Sequence, residues 1–573
     1  MEQQRTFLFL LLVGISFLIW QQWQADYGPK PKTTVSKTSG EAVLPDEPGT
    51  STPSSGEGEM PVPSTSSQTQ TSRPPLATQK QPSAGQDVVV ETDLVRVVID
   101  TQGGDIKQLD LLKYPVHVET PDQPFRLLDE SAQRNFVAQS GFYVPDNETL
   151  REQTPGRKTV YQVAKTHYQI TADDRTQNID LTWRNRAGVE FIIRYSFTPG
   201  SYLINVSHIV NNTGNNTWKG NVYLRMQRTP PADSQGMAML PTYLGAVYYS
   251  PEEKYQKVDF DDIDDANPNG TVRDAINQEF SGGWAAFIEH YFVGAYIPPK
   301  DDAYRYFTAK LDNQRYLVGM SSPQHVVAPG SQQEIKSELF VGPKLQNVLE
   351  ETAPGLELSV DYGWLTIIAK PLFWVLDKLH GLVGNWGWSI ILLTILIKLA
   401  FYKLSEASYK SMANMKRVAP RMQQLKERHA GDRQKMNQAL MDMYRKEKIN
   451  PLGGCFPILI QIPVFIALYY VLLESVELRQ ADWILWFNDL STKDPYFVLP
   501  ILMGASMIVQ QKLNPTPLDP IQAKMMMFLP VVFTVLFLFF PSGLVLYWVV
   551  NNVLSITQQW YITKHVMAEK KVT

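Results

Sequence analysis

Apolar and polar residues follow three different rhythms along this chain. In "MEQQRTFLFLLLVGISFLIWQQWQAD" an unbroken apolar run from Phe7 to Trp20 follows a charged start. Such a run suits either a cleavable signal peptide or a helix that stays in the membrane. The exit "QQWQAD" places Trp23 where a small residue would have to precede a cut after Ala25. Residues 1–25 therefore read as an uncleaved signal-anchor helix, with Trp20 and Trp23 suited to the headgroup level. Residues 26–86 are rich in Pro, Ser, Thr, Gly and Gln and almost lack large apolar side chains. They cannot bury enough surface to offset their ordering entropy, and a disordered linker is expected there.

From 87 to 349 the rhythm becomes period two. In "VEFIIRYSF" Val189, Phe191, Ile193, Tyr195 and Phe197 share one face, while Glu190, Arg194 and Ser196 take the other. In "NVYLRMQ" Val222, Leu224 and Met226 alternate with Tyr223, Arg225 and Gln227. Turn signals such as "TPGS", "NNTGNN" and "NPNG" separate these runs. Alternating strands with frequent turns predict an all-β sandwich domain.

The last third is helical in rhythm. "GWLTIIAKPLFWVLDKLHG" (363–381) gathers Thr366, Lys370, Asp377 and His380 on one helical face, which predicts an amphipathic helix lying in a membrane interface. Apolar runs follow at 386–402, 452–473, 496–511 and 525–562, the last broken by "FPSG" at 540–543, where Pro and Gly permit a tight reversal. The first gives transmembrane helix 2 (386–403), and 451–562 gives helices 3–6. With the anchor this makes six transmembrane helices, so the chain reads as a polytopic α-helical membrane protein carrying a large β-domain. Between spans, in 404–450, Met415, Val418, Met422 and Leu425 repeat at heptad-like spacing, as do Met436, Leu440 and Met443, on either side of "HAGD". Two antiparallel amphipathic helices would bury these faces together. Such a hairpin either anchors topology as a solvated basic element or docks partners through exposed, adaptable Met side chains.

Charge orients the spans. Residues 6–363 carry 30 basic against 43 acidic side chains, whereas 364–573 carry 22 against 13. Segment 404–450 holds 11 Lys and Arg against 5 acids, and 474–495 holds 2 against 5. The positive-inside rule puts the hairpin in the cytoplasm and 474–495 outside. Threading six spans then leaves both termini cytoplasmic, the β-domain in a periplasm-like space and a basic tail at 563–573. The single cysteine, Cys455 in "GGCFP", forms no disulfide within the chain and reads as a packing residue. No G-x-x-x-x-G-K-[ST] loop, H-E-x-x-H or Cys–His cluster occurs, so neither a cofactor nor a metal is expected. Glu289 and His290 in "GWAAFIEHYFVGAYIP" are adjacent on an expected strand and would point to opposite faces, which suits structural roles better than an acid–base pair.

The informative anomaly is Lys398 in "SIILLTILIKLAFYKL". A charge near a bilayer centre costs about 2.5–3.5 kcal/mol on insertion scales. Lys398 is four positions after Thr394 and could snorkel to the inner headgroups. Yet Gln461 sits mid-run in "FPILIQIPVFIALYY", and Asn551, Ser555 and Gln559 form an i, i+4, i+8 stripe on the last helix. Interhelical hydrogen bonding explains the Asn and Gln residues. It does not explain an amine with no carboxylate in these spans. Convergence on a wet cavity open to the cytoplasm does.

The stretches "NPLGGCFPILIQIPVFIALYYVL" (450–472), "SVELRQADWILWFNDLSTKDPYFVLPILMG" (475–504), "FLPVVFTVLFLFFPSGLVLYWVVNNVLSITQQ" (528–559) and "GGWAAFIEHYFVGAYIP" resemble the YidC/Oxa/Alb family of membrane protein insertases. The resemblance covers nearly the whole chain except the linker. It implies a periplasmic β-supersandwich similar to sugar mutarotases without their activity, a non-enzymatic insertase and chaperone, and location in a bacterial cell inner membrane. Implied partners are nascent inner-membrane proteins, the Sec translocon (SecYEG, SecDF), the signal-recognition particle and its receptor, the ribosome and membrane lipids, with no recognition of nucleic-acid sequence. The family's groove cation is commonly Arg, where this chain has Lys398. The hydrophilic groove is assigned to Lys398, Thr394, Gln461, Trp548, Asn551 and Ser555. A substrate-contacting slide is assigned to Phe456, Pro463, Pro530 and Phe533. The competing class is a secondary transporter or channel for small solutes, which would require inverted repeats and an intramembrane acid; these spans show neither.

Overall fold

The computed structural model describes residues 85–131, 134–145, 147–230, 242–266, 276–311, 315–429, 432–447, 456–514 and 520–569. The anchor expected over 1–25, the linker up to residue 84, Cys455 and tail residues 570–573 lie outside the described residues.

Period-two patterning becomes sheet as expected in strand Val189–Phe197, whose five odd-numbered residues are buried and whose intervening ones are half-buried. It pairs antiparallel with Leu203–Asn212, Tyr195 opposite Val206. These strands belong to an eight-stranded sheet that faces an eleven-stranded one. Phe142 of the larger sheet meets Phe191 of the smaller edge-to-face at 5.1 Å, within one shared core.

Strand Trp218–Arg228 departs from the half-exposed pattern. Val222, Leu224 and Met226 enter the core, but Tyr223, Arg225 and Gln227 are buried as well. The strand is central, flanked by Asn135–Tyr143 and Tyr316–Ser321, and its polar face finds internal partners. Arg225 Nε donates to Gln139 Oε1 at 2.9 Å. Glu289 and His290 also differ from expectation. Strands Trp284–Ile288 and Phe292–Ile297 pair with Ile288 opposite Val293, which leaves both residues in the connecting turn. There Glu289 accepts from Arg228 at 2.9 Å and Arg134 at 3.0 Å, neutralising a guanidinium that is 2 % exposed. Its role is structural.

Eight helices among the described residues make up the C-terminal part. Helix α1 (Thr366–Val383) ends at Gly384, whose left-handed φ of 69° lets its N–H reach His380 O. Helix α2 (Trp386–Ala400) starts at Asn385, whose side chain accepts from Trp388 N. After a 68° bend, α3 (Tyr402–Arg428) continues to α4 (Arg433–Lys446). Val418 and Met422 of α3 pack against Leu440, Met443 and Tyr444 of α4, so the heptad-like faces meet. Helices α5 (Phe456–Glu474), α6 (Val498–Leu513), α7 (Pro520–Phe537) and α8 (Ser542–Glu569) follow, the chain reversing between α7 and α8 at "FPSG". Among the described residues no single helix is long and apolar enough to cross a membrane, whereas α2 and α3 pass together as a bent pair.

The C-terminal end of α5 is stitched to the β-domain. Lys344 Nζ, 1 % exposed, lies 3.6 Å from Glu474 and donates to Ser359 O. Burial pushes the His290 imidazole down to about 4, so the ring is neutral and its Nε2–H donates to Leu473 O at 3.0 Å. Arg479 Nη2 donates to Pro115 O at 2.7 Å, with its guanidinium over the Phe292 ring. Burial also pushes Glu477 up to about 7, outweighing the backbone N–H groups of Glu477 and Gln346 that favour its charge. In the native state this carboxyl therefore holds a proton that the unfolded chain releases near its ordinary 4.5. Stability from this group is complete below that value and falls as pH rises toward 7. Unfolding of wild type should cost less at pH 8 than at pH 5, and Glu477→Gln should remove on the order of 2–3 kcal/mol of that difference. Parallel pH profiles for the two proteins would contradict this assignment.

Candidate functional site

Helix α8 is the hub of the polar residues buried among apolar helices. Its stripe at every fourth residue meets a different neighbour at each step. Asn551 Oδ1 accepts from Gln461 Nε2 of α5 at 2.8 Å. Ser555 Oγ accepts from Lys398 Nζ of α2 at 2.7 Å and donates back to Asn551 O at 2.6 Å. Gln559 Nε2 donates to Asn514 Oδ1, just past α6, at 2.9 Å. The helical repeat that looked like a stripe in sequence thus becomes a ladder joining three helices.

Beside this ladder lies a cavity of about 260 Å³. Gln461, Trp548, Asn551 and Ser555 line it, together with Ser405, Ser408 and Tyr409 from α3 and Asn552 and Gln559 from α8; Met412, Ile462, Phe465 and Met507 supply an apolar wall, so the lining is mixed. Lys398 reaches its wall through Ser555. The described partner of that ammonium is a neutral hydroxyl and not a carboxylate. Thr394 is placed differently from the assignment made on spacing. It is 1 % exposed, its hydroxyl donates to Ile390 O within α2, and it does not line the cavity. A threonine inside a helix satisfies its hydroxyl one turn back, which removes the need for a polar pocket. Trp548 packs edge-to-face on Phe465 at 4.6 Å, and its buried indole N–H has no described partner.

The expected slide residues separate. Pro463 and Phe533 are half-buried, and Phe456 opens α5 with its side chain outside the described residues. Pro530 is buried, contrary to expectation. It lies one turn before Thr534, and Thr534 is so close to Gly504 of α6 that a Cβ there would sit 2.0 Å from its hydroxyl. That face of α7 is committed to α6. The open apolar face carries Phe528, Val531, Val532 and Val535 instead.

Sequence inspection missed the contribution of α3. Ser405 and Ser408 follow the apolar run directly at i, i+3 spacing, but only the 68° bend after Ala400 turns them toward the cavity. It also missed two residues of α6: Ser506, which accepts from Asn552 Nδ2 at 3.0 Å, and Gln510, which lines the cavity.

Two family models cover the described chain: one for the YidC periplasmic domain matches residues 87–375, and one for the 60Kd inner membrane protein matches 378–570. The chain is 47% identical over 567 residues to the membrane protein insertase YidC of Methylococcus capsulatus, covering 99% of both sequences. It is 44% identical over 600 residues to that of Pseudomonas aeruginosa, covering 100% of both. A crystal structure titled as an active YidC insertase with the first transmembrane domain resolved aligns over 83% of this chain and 92% of its own, at 18% identity and a TM-score of 0.37.

The Gln461–Asn551 bond joins two helices at the wall of the cavity. Gln461→Leu should therefore lower stability by about 0.5–1.5 kcal/mol, the net worth of one such bond. A double-mutant cycle with Asn551→Leu should show coupling of at least about 0.5 kcal/mol. Strictly additive effects would show that the two side chains do not act together.

Proposed function

The chain belongs to the YidC family of membrane protein insertases of the inner membrane, and from that premise we propose how this molecule moves a segment into lipid. The polar flank of a nascent membrane protein enters the cavity beside α8 from the cytoplasmic side. Its apolar segment meanwhile lies against the open faces of α5 and α7, near Pro463, Phe533, Val531 and Val535. Hydrophobic partitioning then drives the segment sideways into the bilayer.

The single observation that carries this reading is Lys398, an amine held by Ser555 at the edge of a cavity with both polar and apolar lining, among apolar helices. It offers a transient partner to an acidic flank. A resident carboxylate would form a tight buried pair and block the site. Helix length supports the same account. Helix α2, with 15 residues, spans about 22 Å, and α6, with 16, about 24 Å. The hydrocarbon core is about 30 Å thick, and short spans thin the bilayer around them.

The topology proposed is six spans: the N-terminal anchor, α2, α5, α6, α7 and α8, with both termini in the cytoplasm. Helix α1 lies in the outer interface, where its exposed Ile367 and Trp374, and Trp364 in the turn just before it, meet headgroups and lipid. The α3–α4 hairpin stands in the cytoplasm, and its basic surface and Met side chains receive the ribosome or the signal-recognition particle and its receptor. The Sec translocon is a lateral partner for substrates with large translocated domains.

Reconstitution into liposomes with a small single-span substrate tests the electrostatic step. Lys398→Ala should reduce insertion of a substrate with an acidic flank on the order of tenfold, the scale of one charge-assisted hydrogen bond. Lys398→Arg should retain insertion. Unchanged insertion by the alanine variant would remove Lys398 from the mechanism.

A further inference from the structure

The segment between α5 and α6 builds a second cavity, of about 500 Å³, against the β-domain. That size falls within the ~300–1,000 Å³ of small-molecule sites. Its charged lining has both signs: Arg479 and Lys493 are cationic, and Glu119 and Asp489 are anionic. A ligand that carries both charges can meet both sets. Tyr291 adds a phenol from the β-domain turn.

The cavity is built by restraint from two sides. On one, Arg479 Nη2 and Gln480 Nε2 both donate to Pro115 O, at 2.7 and 2.9 Å. On the other, Ser542 and Gly543 at the start of α8 donate backbone N–H groups to Thr492 O and Leu490 O. Within the loop, Asp489 Oδ1 accepts from Gln480 N, Ser491 N and Ser491 Oγ, while Trp486 Nε1 donates to Asp494. Four non-glycine residues among those described have positive φ, and Gln480, Leu485 and Phe497 of this loop are three of them. Each such conformation costs about 1–3 kcal/mol and persists only where its surroundings impose it.

The same loop presents apolar side chains outward. Leu485 is 78% exposed, and Tyr496 and Phe497 are exposed as well. A headed, two-charged polar pocket beside exposed apolar side chains matches an amphiphile. We propose that this cavity binds the zwitterionic phosphoethanolamine headgroup of a phospholipid in the outer leaflet. The phosphate faces Arg479 and Lys493, the ammonium faces Asp489 and Glu119, and the acyl chains leave along Leu485, Tyr496 and Phe497. Binding would fasten the junction between β-domain and helices to the lipid surface. The proposal rests on the membrane arrangement given above, which sets this loop at the outer leaflet.

The test uses the full chain in nanodiscs of equal parts phosphatidylethanolamine, phosphatidylcholine and phosphatidylglycerol, with retained lipid read by native mass spectrometry. Phosphatidylcholine lacks the N–H donors, and phosphatidylglycerol lacks the amine. Ethanolamine lipid should be retained about tenfold over either, and Lys493→Glu and Glu119→Lys should each abolish that preference. Equal retention of the three lipids, or a preference unchanged in both variants, would overturn the proposal. So would displacement of the lipid by inorganic phosphate alone, which would mark a plain anion site. A substrate's outward segment cross-linking to a photoreactive group at position 488, with no lipid preference, would give the cavity to polypeptide and overturn it too. Lys398→Ala should leave lipid retention unchanged, so a failed insertion mechanism and a failed lipid site give different results.

Discussion

One amine among aliphatic side chains constrains the rest of the helical region. Lys398 cannot be left in hydrocarbon without a penalty of several kcal/mol, and its described partner is a serine hydroxyl. Ser555 in turn is held to Asn551, and Asn551 to Gln461. The ladder therefore ties α2, α8 and α5 together along one side of the cavity. In the proposed mechanism, water entering that cavity from the cytoplasm solvates the amine and makes room for a polar flank. Packing alone would have favoured an apolar residue at 398. Under the proposed function, the lysine is there to meet the polar flank that the cavity admits.

The β-domain is not a passenger on this arrangement. Residues 473–480, at the C-terminal end of the helix that carries Gln461 and just beyond it, are bonded to the strands and turns around Pro115, His290 and Lys344. Because buried pairs such as Lys344–Glu474 are costly to break one partner at a time, α5 and the β-domain behave as one mechanical body at that end. The short loop that follows is braced against both the β-domain and the start of α8. In the proposed arrangement, movement during insertion falls to the other end of the helices, where the cavity lies beside α3.

Much of this was legible in the sequence because each pattern had one physical cause. Period-two alternation at Val189–Phe197 could only bury its apolar face in a sheet, and "FPSG" could only end a helix. The i, i+4, i+8 stripe on α8 marked polar contacts with its neighbours before any partner was known. What escaped was tertiary. Thr394 shares a helical face with Lys398, but its hydroxyl is satisfied within its own helix, so spacing overstated its role. Pro530 was placed on the open face of α7, whereas the close approach of Thr534 to Gly504 turns that side inward. Ser405 and Ser408 depend on a bend that no periodicity reports. The polar face of Trp218–Arg228 was expected outside, and sheet size, which local pattern cannot count, buried it.

Hydration of the cavity is the claim on which the account turns, and it can be measured directly. In a Cys455→Ala background, Gln461→Cys and Ser555→Cys should react with a membrane-impermeant maleimide added from the cytoplasmic side, at rates well above those of a cysteine placed at Val532 on the lipid-facing surface. Protection of both positions, equal to that at 532, would mean a dry pocket and would contradict the mechanism.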